Sequence, residues 1–447
     1  MGKIPFAFGP RVFVLLLLGF LWLVPAWWQP RLIAALFVWD VLVLLAFVAD
    51  LSRMPKPQQL EGARLWAHAP ALATESEVTV TVHNFAGIAL RFHVTDETPD
   101  SIREAPATGT FAAGAGQSGS TAYSVLPRER GDIRIGRLYI RYQSRFGFAE
   151  RWAVAEIAQT VTVLPDLEQA RQQALYLIRS RQVEMEKRRR KQRGQGREFE
   201  SLREYRQGDE MRDICWTATA RRHVLTTRVF ETERSQAVWI LVDAGRLLRS
   251  EVVQERGQLR LAKLDYAANA ALSLAQVANQ CGDRVGLLAY GRNIQHNLRP
   301  GRGASHLRAV VDCLAHVHGE AAEADHSRAA RVLLTEQSRR SLVVWMTDFA
   351  ETPTTPEVIE CAIQMTKKHL VLFAAMNQPD LTALAAKIPQ DVDEMYRHTA
   401  ALEIAHRRDL LLRSLRQRGV FAFELVPGLL ASSIVNQYLD IKERSLL

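Results

Sequence analysis

The N-terminal part of the chain contains two long apolar stretches. One lies between Arg11 and Arg31 and carries no charge, and the other covers residues 32–49 and is interrupted only by Asp40. Each is close to the roughly 17 to 25 residues that a helix needs to cross a bilayer. A cleaved signal peptide would not normally be followed at once by a second apolar stretch. The pattern therefore predicts two transmembrane helices within residues 1–56.

The turn Gln29-Pro30-Arg31 is too short to hold a domain, so the two helices should form a hairpin with both ends on one side. Trp27 and Trp28 would then lie at the far interface, where aromatic residues are enriched. Basic residues flank the open ends, namely Lys3, Arg11, Arg53, Lys56 and Arg64. The positive-inside rule therefore predicts that both termini and the rest of the chain are cytoplasmic.

Asp40 falls in the middle of the second apolar stretch. A charge there costs at least ~2.5 kcal/mol unless it is neutralised, paired or hydrated. Asp40 could mark a helix contact or an oligomer interface, or it could be a neutral carboxyl bonded within the hairpin. No second ionisable residue accompanies it in the two stretches, which argues against a transport pathway.

From residue 57 to 165 the pattern changes to short alternating runs, such as residues 77–83 and 136–142. Clusters of Gly, Ser and Thr around residues 109–120 interrupt them. Alternation with frequent turn residues is typical of an antiparallel β-sandwich. A structural or docking role follows, because the region has no catalytic cluster of His, Cys or carboxylates.

Residues 166–235 form a linker region that begins with helical periodicity over residues 166–190. A basic run then starts at Lys187 and ends at Arg197. It could bind nucleic-acid phosphates or anionic lipid, or it could be a solvated loop. Nucleic acid is the least favoured partner, because no aromatic residues for base stacking interleave the run.

Over residues 236–447, apolar strands and amphipathic helices alternate, which predicts an α/β doubly wound sheet. No phosphate-binding glycine motif follows a strand, so nucleotide binding is not indicated. The predicted strands cover residues 237–242, 284–290, 341–347, 369–375 and 420–426. The predicted helices cover residues 258–280, 305–317, 356–368, 391–418 and 429–441.

The length and composition of the chain indicate several folded domains, and its positive charge favours an anionic partner or surface. The chain has 447 residues, of which 48% are hydrophobic, and its net charge is +9. Four cysteines are scattered without C-x-x-C spacing, at positions 215, 281, 313 and 361. This spacing indicates neither a zinc cluster nor a disulfide framework.

Three polar groups are candidates for a binding site at the carboxyl edge of the predicted sheet. Asp243 and Asp348 each follow an apolar strand, and Ser305 opens a helix after a Gly-rich turn. Open α/β sheets bind ligands at this edge. Two carboxylates and a hydroxyl are oxygen ligands that suit Mg²⁺.

This arrangement resembles the von Willebrand factor A-like fold, whose metal site uses D-x-S-x-S, a Thr and a later Asp. The resemblance implies that Ser305 replaces the Thr and that Asp348 is the later Asp. Both motif serines are replaced here, by Gly245 and Leu247, which weakens the case for Mg²⁺. The hypothesis is that Arg246 pairs with Asp243 or Asp348 in place of a metal.

The segment before the first strand carries a dense polar motif, GREFESLREYRQGDEMRDICWTATARR. It resembles the signature of a bacterial family called domain of unknown function fifty-eight. The resemblance implies an inner-membrane accessory of a MoxR-type AAA+ ATPase, acting in protein complex assembly or maturation. The signature residues are Arg203, Glu204, Tyr205, Gly208, Asp209, Arg212, Asp213, Trp216 and Arg221.

The signature has two interpretations. Its mixed charges suit a buried salt-bridge network that fixes the linker to the sheet domain. Alternatively, the segment is a recognition surface with Tyr205 and Trp216 as aromatic anchors. In either case, the function expected is a non-catalytic protein-interaction module.

An enzyme is the alternative class. Cys215, His223 and Asp213 or Glu231 supply the residue types of a thiol-dependent hydrolase or transferase. No family-specific cysteine motif is present, and Cys215 beside Trp216 is typical of a buried small hydrophobe.

Overall fold

A computed structural model describes residues 6–29, 31, 33–166, 198–206, 211–231, 236–253, 260–349 and 356–444. The chain divides into two compact units, Met1–Leu164 and Pro165–Leu447. The predicted helix over residues 166–190 and the basic run from Lys187 to Arg197 lie almost wholly outside the described residues.

The first unit begins with a short strand and three helices. Among the described residues, one helix is long and apolar enough to cross a membrane: α3, with 21 residues. The apolar segment before it, Pro10–Pro25, is shorter. The bounds are β1 Phe6–Phe8, α1 Pro10–Gly19, α2 Leu23–Ala26 and α3 Ile33–Arg53.

The rest of the first unit is antiparallel β-structure, as the alternating pattern predicts. A five-stranded sheet has the order β1-β9-β8-β4-β5, a three-stranded sheet has the order β2-β3-β6, and β10 pairs with β7. Residues 109–120, predicted as interruptions, instead fall largely within β5 and β6. The strands are β2 Leu60–Trp66, β3 Ser76–Asn84, β4 Leu90–Asp96, β5 Ala107–Ala113, β6 Ser118–Val125, β7 Gly131–Ile135, β8 Leu138–Ser144, β9 Ala149–Ala155 and β10 Gln159–Val163.

The two apolar helices pack on each other and on this β-structure. The Trp39 indole N–H of α3 donates to the Leu15 carbonyl of α1 at 2.8 Å. Val12, Val43 and Phe47 belong to the same apolar core as sandwich residues such as Val80. The helical segment is therefore part of the folded unit.

The last turn of α3 is fixed by a buried carboxylate. Asp50 is 3% exposed. Its oxygens accept hydrogen bonds from the Ser144 hydroxyl at 2.5 Å and from the backbone N–H groups of Phe148 and Ala149 at 3.0 and 3.1 Å. Three donors on the β8–β9 connection thus satisfy one buried acceptor group on the helix.

The second unit is built on a six-stranded sheet with the order β17-β16-β13-β18-β19-β20. All neighbouring pairs are parallel except β16 and β17. All seven residues of β13 are buried, as expected for a parallel strand covered on both faces. The strands are β13 Ala237–Asp243, β16 Arg284–Tyr290, β17 Ile294–Gly301, β18 Leu342–Thr347, β19 Leu370–Met376 and β20 Phe421–Leu425.

Alternate residues of β13 enter two different apolar cores, one on each face of the sheet. Val238, Ile240 and Val242 pack with α5, α6 and α11, whereas Trp239 and Leu241 pack with α7, α8 and α10. These helices are α5 Lys263–Gln280, α6 Ala304–His316, α7 His326–Glu336, α8 Pro356–Thr366, α10 Val392–Gln417 and α11 Leu430–Glu443. The predicted helices on both faces of a largely parallel sheet are therefore present.

Several elements of this unit were not predicted. They are the edge strand β17, the helices α7 and α9 Pro379–Ala386, and two small hairpins. The hairpins are β11 Glu198–Glu204 with β12 Thr226–Glu231, and β14 Glu251–Val253 with β15 Arg260–Ala262. The helix α4 Trp216–Arg222 lies between β11 and β12.

Replacing Asp50 by Ala should loosen the β8–β9 connection. Each buried donor left unpaired costs about 1–3 kcal/mol, and three donors lose their acceptor. We expect hydrogen exchange of peptides covering β8 and β9 to accelerate in the full-length protein in detergent. Ser52→Ala is the matched control, since its exposed hydroxyl donates to the Ala49 carbonyl within α3. Unchanged exchange in Asp50→Ala would show that this junction does not hold the sheet.

Candidate functional site

Asp243 is the last residue of β13 and is buried at the carboxyl end of the sheet. One carboxylate oxygen accepts the Gly245 N–H at 2.7 Å, and the other accepts the Thr347 hydroxyl at 2.6 Å. Burial raises the pKa of Asp243, and nearby His326 and these two donors oppose that rise. The carboxyl group is thus held in place by neutral donors.

Asp348 follows the adjacent strand β18 and lies between two cations. Its carboxylate accepts from the Lys263 ammonium at 2.6 Å and from the Arg408 guanidinium at 2.8 Å. The Phe349 N–H donates to it as well, at 2.7 Å. The side chains of Lys263, Arg408 and Asp348 are 1%, 5% and 4% exposed, so this ion cluster is almost dry.

Arg408 connects this cluster to three other parts of the fold. Its guanidinium donates to the Glu424 carboxylate at 2.9 Å, to the Met376 carbonyl at 2.6 Å and to the Phe349 carbonyl. It also lies 4.8 Å from the centre of the Phe349 ring. Five contacts at one guanidinium fix α10 against the ends of β18, β19 and β20.

The residues at this edge do not fit Mg²⁺. A hard divalent cation needs free carboxylate oxygens and water, whereas both oxygens of Asp348 already contact cations. Within the described part of the chain, no group of three or more His, Cys, Asp or Glu side chains is placed to hold a metal ion. A metal ion beside Asp348 would add further positive charge next to Lys263 and Arg408.

Ser305 does not join Asp243 and Asp348, so the predicted convergence is wrong. It is exposed near the start of α6, which follows Gly301 at the end of β17. Because β17 is antiparallel, Gly301 pairs with Val285 near the start of β16, whereas Asp243 pairs with Tyr290 at its end. Ser305 therefore lies at the opposite edge of the sheet.

The predicted pairing of Arg246 with Asp243 or Asp348 is also wrong. Arg246 pairs instead with Glu323 at 3.2 Å, and both side chains are more than half exposed. Lys263 and Arg408, which the sequence analysis missed, take the role assigned to Arg246. Lys263 was placed inside a helix predicted from residue 258, but it is the first residue of α5.

A second buried polar chain lies beside Asp243. The Trp345 indole N–H donates to the Tyr290 hydroxyl at 2.6 Å, and that hydroxyl is 3.0 Å from His326 Nδ1. Burial lowers the pKa of His326, although Asp243 opposes the shift. A neutral imidazole that accepts the Tyr290 proton fits this arrangement.

The described signature residues lie mostly at the surface. Arg203, Glu204 and Arg221 are exposed, and the Trp216 side chain is 67% exposed. The interpretation as a buried salt-bridge network is therefore wrong for these residues. Tyr205 and Asp213 are half-buried, the side chain of Arg212 is not described, and Gly208 and Asp209 lie outside the described residues.

Cys215 is buried at the N-terminus of α4, and its sulfur lies 3.4 Å from the Thr217 hydroxyl. A hydroxyl of this kind is not a general base for a thiol. His223 has a left-handed φ of 54° at the end of the same helix and is exposed. The thiol-enzyme alternative stays a prediction.

The second unit is an α/β domain whose sheet ends on a buried ion cluster. Residues 201–388 match the family model described as "Protein of unknown function DUF58", which confirms the predicted resemblance over that part of the chain. The match includes most of the signature, β13 and Asp348, but it ends before Arg408.

Two solved β-domains resemble part of the chain. One is the PapD-like domain 7 of human CEP192, which is 12% identical in sequence. The match covers 23% of this chain and 89% of the CEP192 domain, with a TM-score of 0.16. The other is a CARDB domain of the PF1109 protein from Pyrococcus furiosus, solved in complex with di-metal ions and 16% identical in sequence. The match covers 23% of this chain and 86% of the CARDB domain, with a TM-score of 0.16. A search of curated proteins found no match.

Replacing Lys263 by Met should destabilise the sheet domain. Removal of one partner from a buried ion cluster costs about 3–5 kcal/mol. We expect faster hydrogen exchange in peptides covering β13 and β18 of the full-length protein. Arg246→Met removes a cation from an exposed pair of the same unit and should cost less than about 1 kcal/mol. Equal effects of the two changes would contradict a special role of the cluster.

Asp243→Asn tests the raised pKa of Asp243. Because the pKa of Asp243 is higher in the folded than in the unfolded protein, the protonated carboxyl stabilises the fold at pH values below the unfolded pKa. This stabilisation is lost as the pH rises through the folded pKa. Asn keeps one acceptor and one donor for Gly245 and Thr347. The variant should therefore gain thermal stability relative to the wild type as pH rises above about 4, the usual pKa of an Asp in an unfolded chain. A relative loss over this range would contradict the assignment.

Proposed function

We propose that the protein is a membrane-anchored, non-catalytic interaction module that docks a partner through its signature segment. The supporting observation is an exposed apolar patch formed by that segment and the residues just after it. Met211 is 77% exposed, Trp216 67%, and Val224 and Leu225 46% each. Large apolar side chains grouped on a surface mark interaction sites, and Trp is prominent among interface anchors.

The second unit is, in this proposal, a von Willebrand factor A-like domain. A largely parallel sheet with helices on both faces supports this, as do Asp243 and Asp348 at the ends of adjacent strands β13 and β18. Lys263 and Arg408 distinguish it from a metal-dependent adhesion domain. The domain would then bind its partner by surface complementarity rather than through a shared metal ion.

The anchor in this proposal is a two-pass helical hairpin with its open end in the cytoplasm. The chain leaves the sandwich after β1, which pairs with β9, and re-enters it at β2 after α3. Both ends of the helical segment are thus tied to one domain. Trp27 and Trp28, at the far turn, are 85% and 75% exposed, as expected for residues that contact lipid headgroups.

The proposed partner is an AAA+ ATPase of the MoxR type, and this choice rests on the family resemblance. The mixed charges around the patch, including exposed Arg203, Glu204 and Arg221, suit a polar rim for such an interface. In the same proposal the module acts in the assembly or maturation of a protein complex.

Capture of the tagged full-length protein from its native membrane in mild detergent tests the proposal. With bound proteins identified by mass spectrometry, an AAA+ ATPase should be recovered with the wild type and at least tenfold less with Met211→Ala/Trp216→Ala. Tyr396→Ala is a matched control, since it removes a 73% exposed aromatic side chain elsewhere in the same unit. Equal recovery with all three proteins would exclude the patch as the docking site.

A further inference from the structure

The turn between β8 and β9 contacts both ends of the helical segment. Asp50, in the last turn of α3, accepts the backbone N–H groups of Phe148 and Ala149. Arg11, in the first turn of α1, donates to the carbonyls of Arg145 and Phe146 at 3.1 and 2.8 Å. In the described part of this unit, the sandwich is therefore bonded directly to both ends of the helical segment.

The length of α3 then sets the depth of the sandwich in the bilayer. The hydrocarbon layer is about 30 Å thick and needs about 20 helical residues, which is nearly all of the 21 in α3. Phe47 lies six residues before the end of α3, or about 9 Å along its axis at 1.5 Å per residue. If α3 spans the bilayer, Phe47 is below the headgroups.

Strand β1 reaches this depth. The Phe8 ring lies 4.4 Å from the Phe47 ring, and the Phe6 ring lies 6.3 Å from it. Phe6 and Phe8 are nevertheless 38% and 47% exposed. These two rings are therefore placed where lipid, rather than water, would cover them.

The chemistry of the adjoining turn fits the membrane interface. Phe146 is 54% exposed and stacks on Phe148 at 6.4 Å. The side chains of Arg11 and Arg145 are exposed beside it. Aromatic rings at the headgroup level and cations that face lipid phosphates are typical of interfacial surfaces.

We propose that the β-sandwich is seated in the headgroup layer, with Phe6, Phe8 and Phe146 at the acyl-chain boundary and Arg11 and Arg145 facing lipid phosphates. This seat rests on the proposed membrane anchor. It makes the lipid bilayer, and not a protein, the partner of this end of the sandwich. The first unit then has one fixed distance and one fixed orientation relative to the membrane.

Nitroxide depth measurements on the full-length protein test this seat, that is, the position of the sandwich in the headgroup layer. The four native cysteines are replaced by Ala, and single labels are placed by Phe146→Cys, Phe8→Cys, Leu42→Cys and Leu65→Cys. The protein is reconstituted in vesicles of phosphatidylcholine with a minor fraction of phosphatidylglycerol. Collision rates with oxygen and with a water-soluble nickel chelate then report the depth of each label.

Leu65 is the matched aqueous control. It is 62% exposed, similar to Phe146, but lies five residues along β2 from Leu60, about 17 Å further along the strand. Leu42, in α3 and 56% exposed, is the control for anchoring. We expect oxygen-to-nickel collision ratios several-fold higher at Phe146 and Phe8 than at Leu65, and highest at Leu42.

The labels distinguish failure of the proposed sandwich position from failure of the proposed membrane anchor. A Phe146 label as accessible to nickel as the Leu65 label, with Leu42 in the hydrocarbon, would overturn the seat and leave the anchor intact. A water-accessible Leu42 label would overturn the anchor and the seat together.

Discussion

The negative charge of a buried carboxylate must be balanced by nearby cations or hydrogen-bond donors. The second unit is organised around the two cations that balance Asp348. Moving a carboxylate out of water costs several kcal/mol even after relaxation, so Asp348 is tolerable only with close partners. Lys263 and Arg408 supply two charges within 2.6 and 2.8 Å. Because these partners come from α5 and α10, on opposite faces of the sheet, the cluster joins both layers of helices to the end of β18.

The same cluster explains why this sheet edge is unsuited to a metal. An ammonium group at the end of an aliphatic chain is covalently held, so its position does not depend on ion concentration. A divalent cation would have to displace it from Asp348 at the full cost of burying an unpaired ammonium. The neighbouring Asp243 is bonded by Thr347 and Gly245, which are neutral donors. The edge is therefore a closed structural joint, and partner recognition is better sought on exposed surfaces.

Local apolar runs could be predicted from the sequence, whereas contacts made through the fold could not. The parallel strands could be predicted because runs such as residues 284–290 are continuous and apolar, and the structure places β16 over the same residues. Strand β17 was missed because none of its residues is fully buried, so it has no continuous apolar run, and because it includes Pro300. Because β17 is antiparallel, Ser305 lies at the edge of the sheet opposite to Asp243 and Asp348. The partners of Asp348 could not be chosen from 57 Lys and Arg residues, because Arg408 meets it only through the fold.

The first unit uses one buried acid in the opposite way. Asp50 has no cation among its hydrogen-bond partners in the described structure, and backbone N–H groups and a hydroxyl surround it instead. Such bonds depend on the exact path of the β8–β9 turn, so they fix the direction of the helix end relative to that turn. Arg11 adds a second set of directional bonds to the same turn. An apolar helix fixed in this way cannot tilt independently of the sandwich, so the orientation of the helix determines the orientation of the whole first unit.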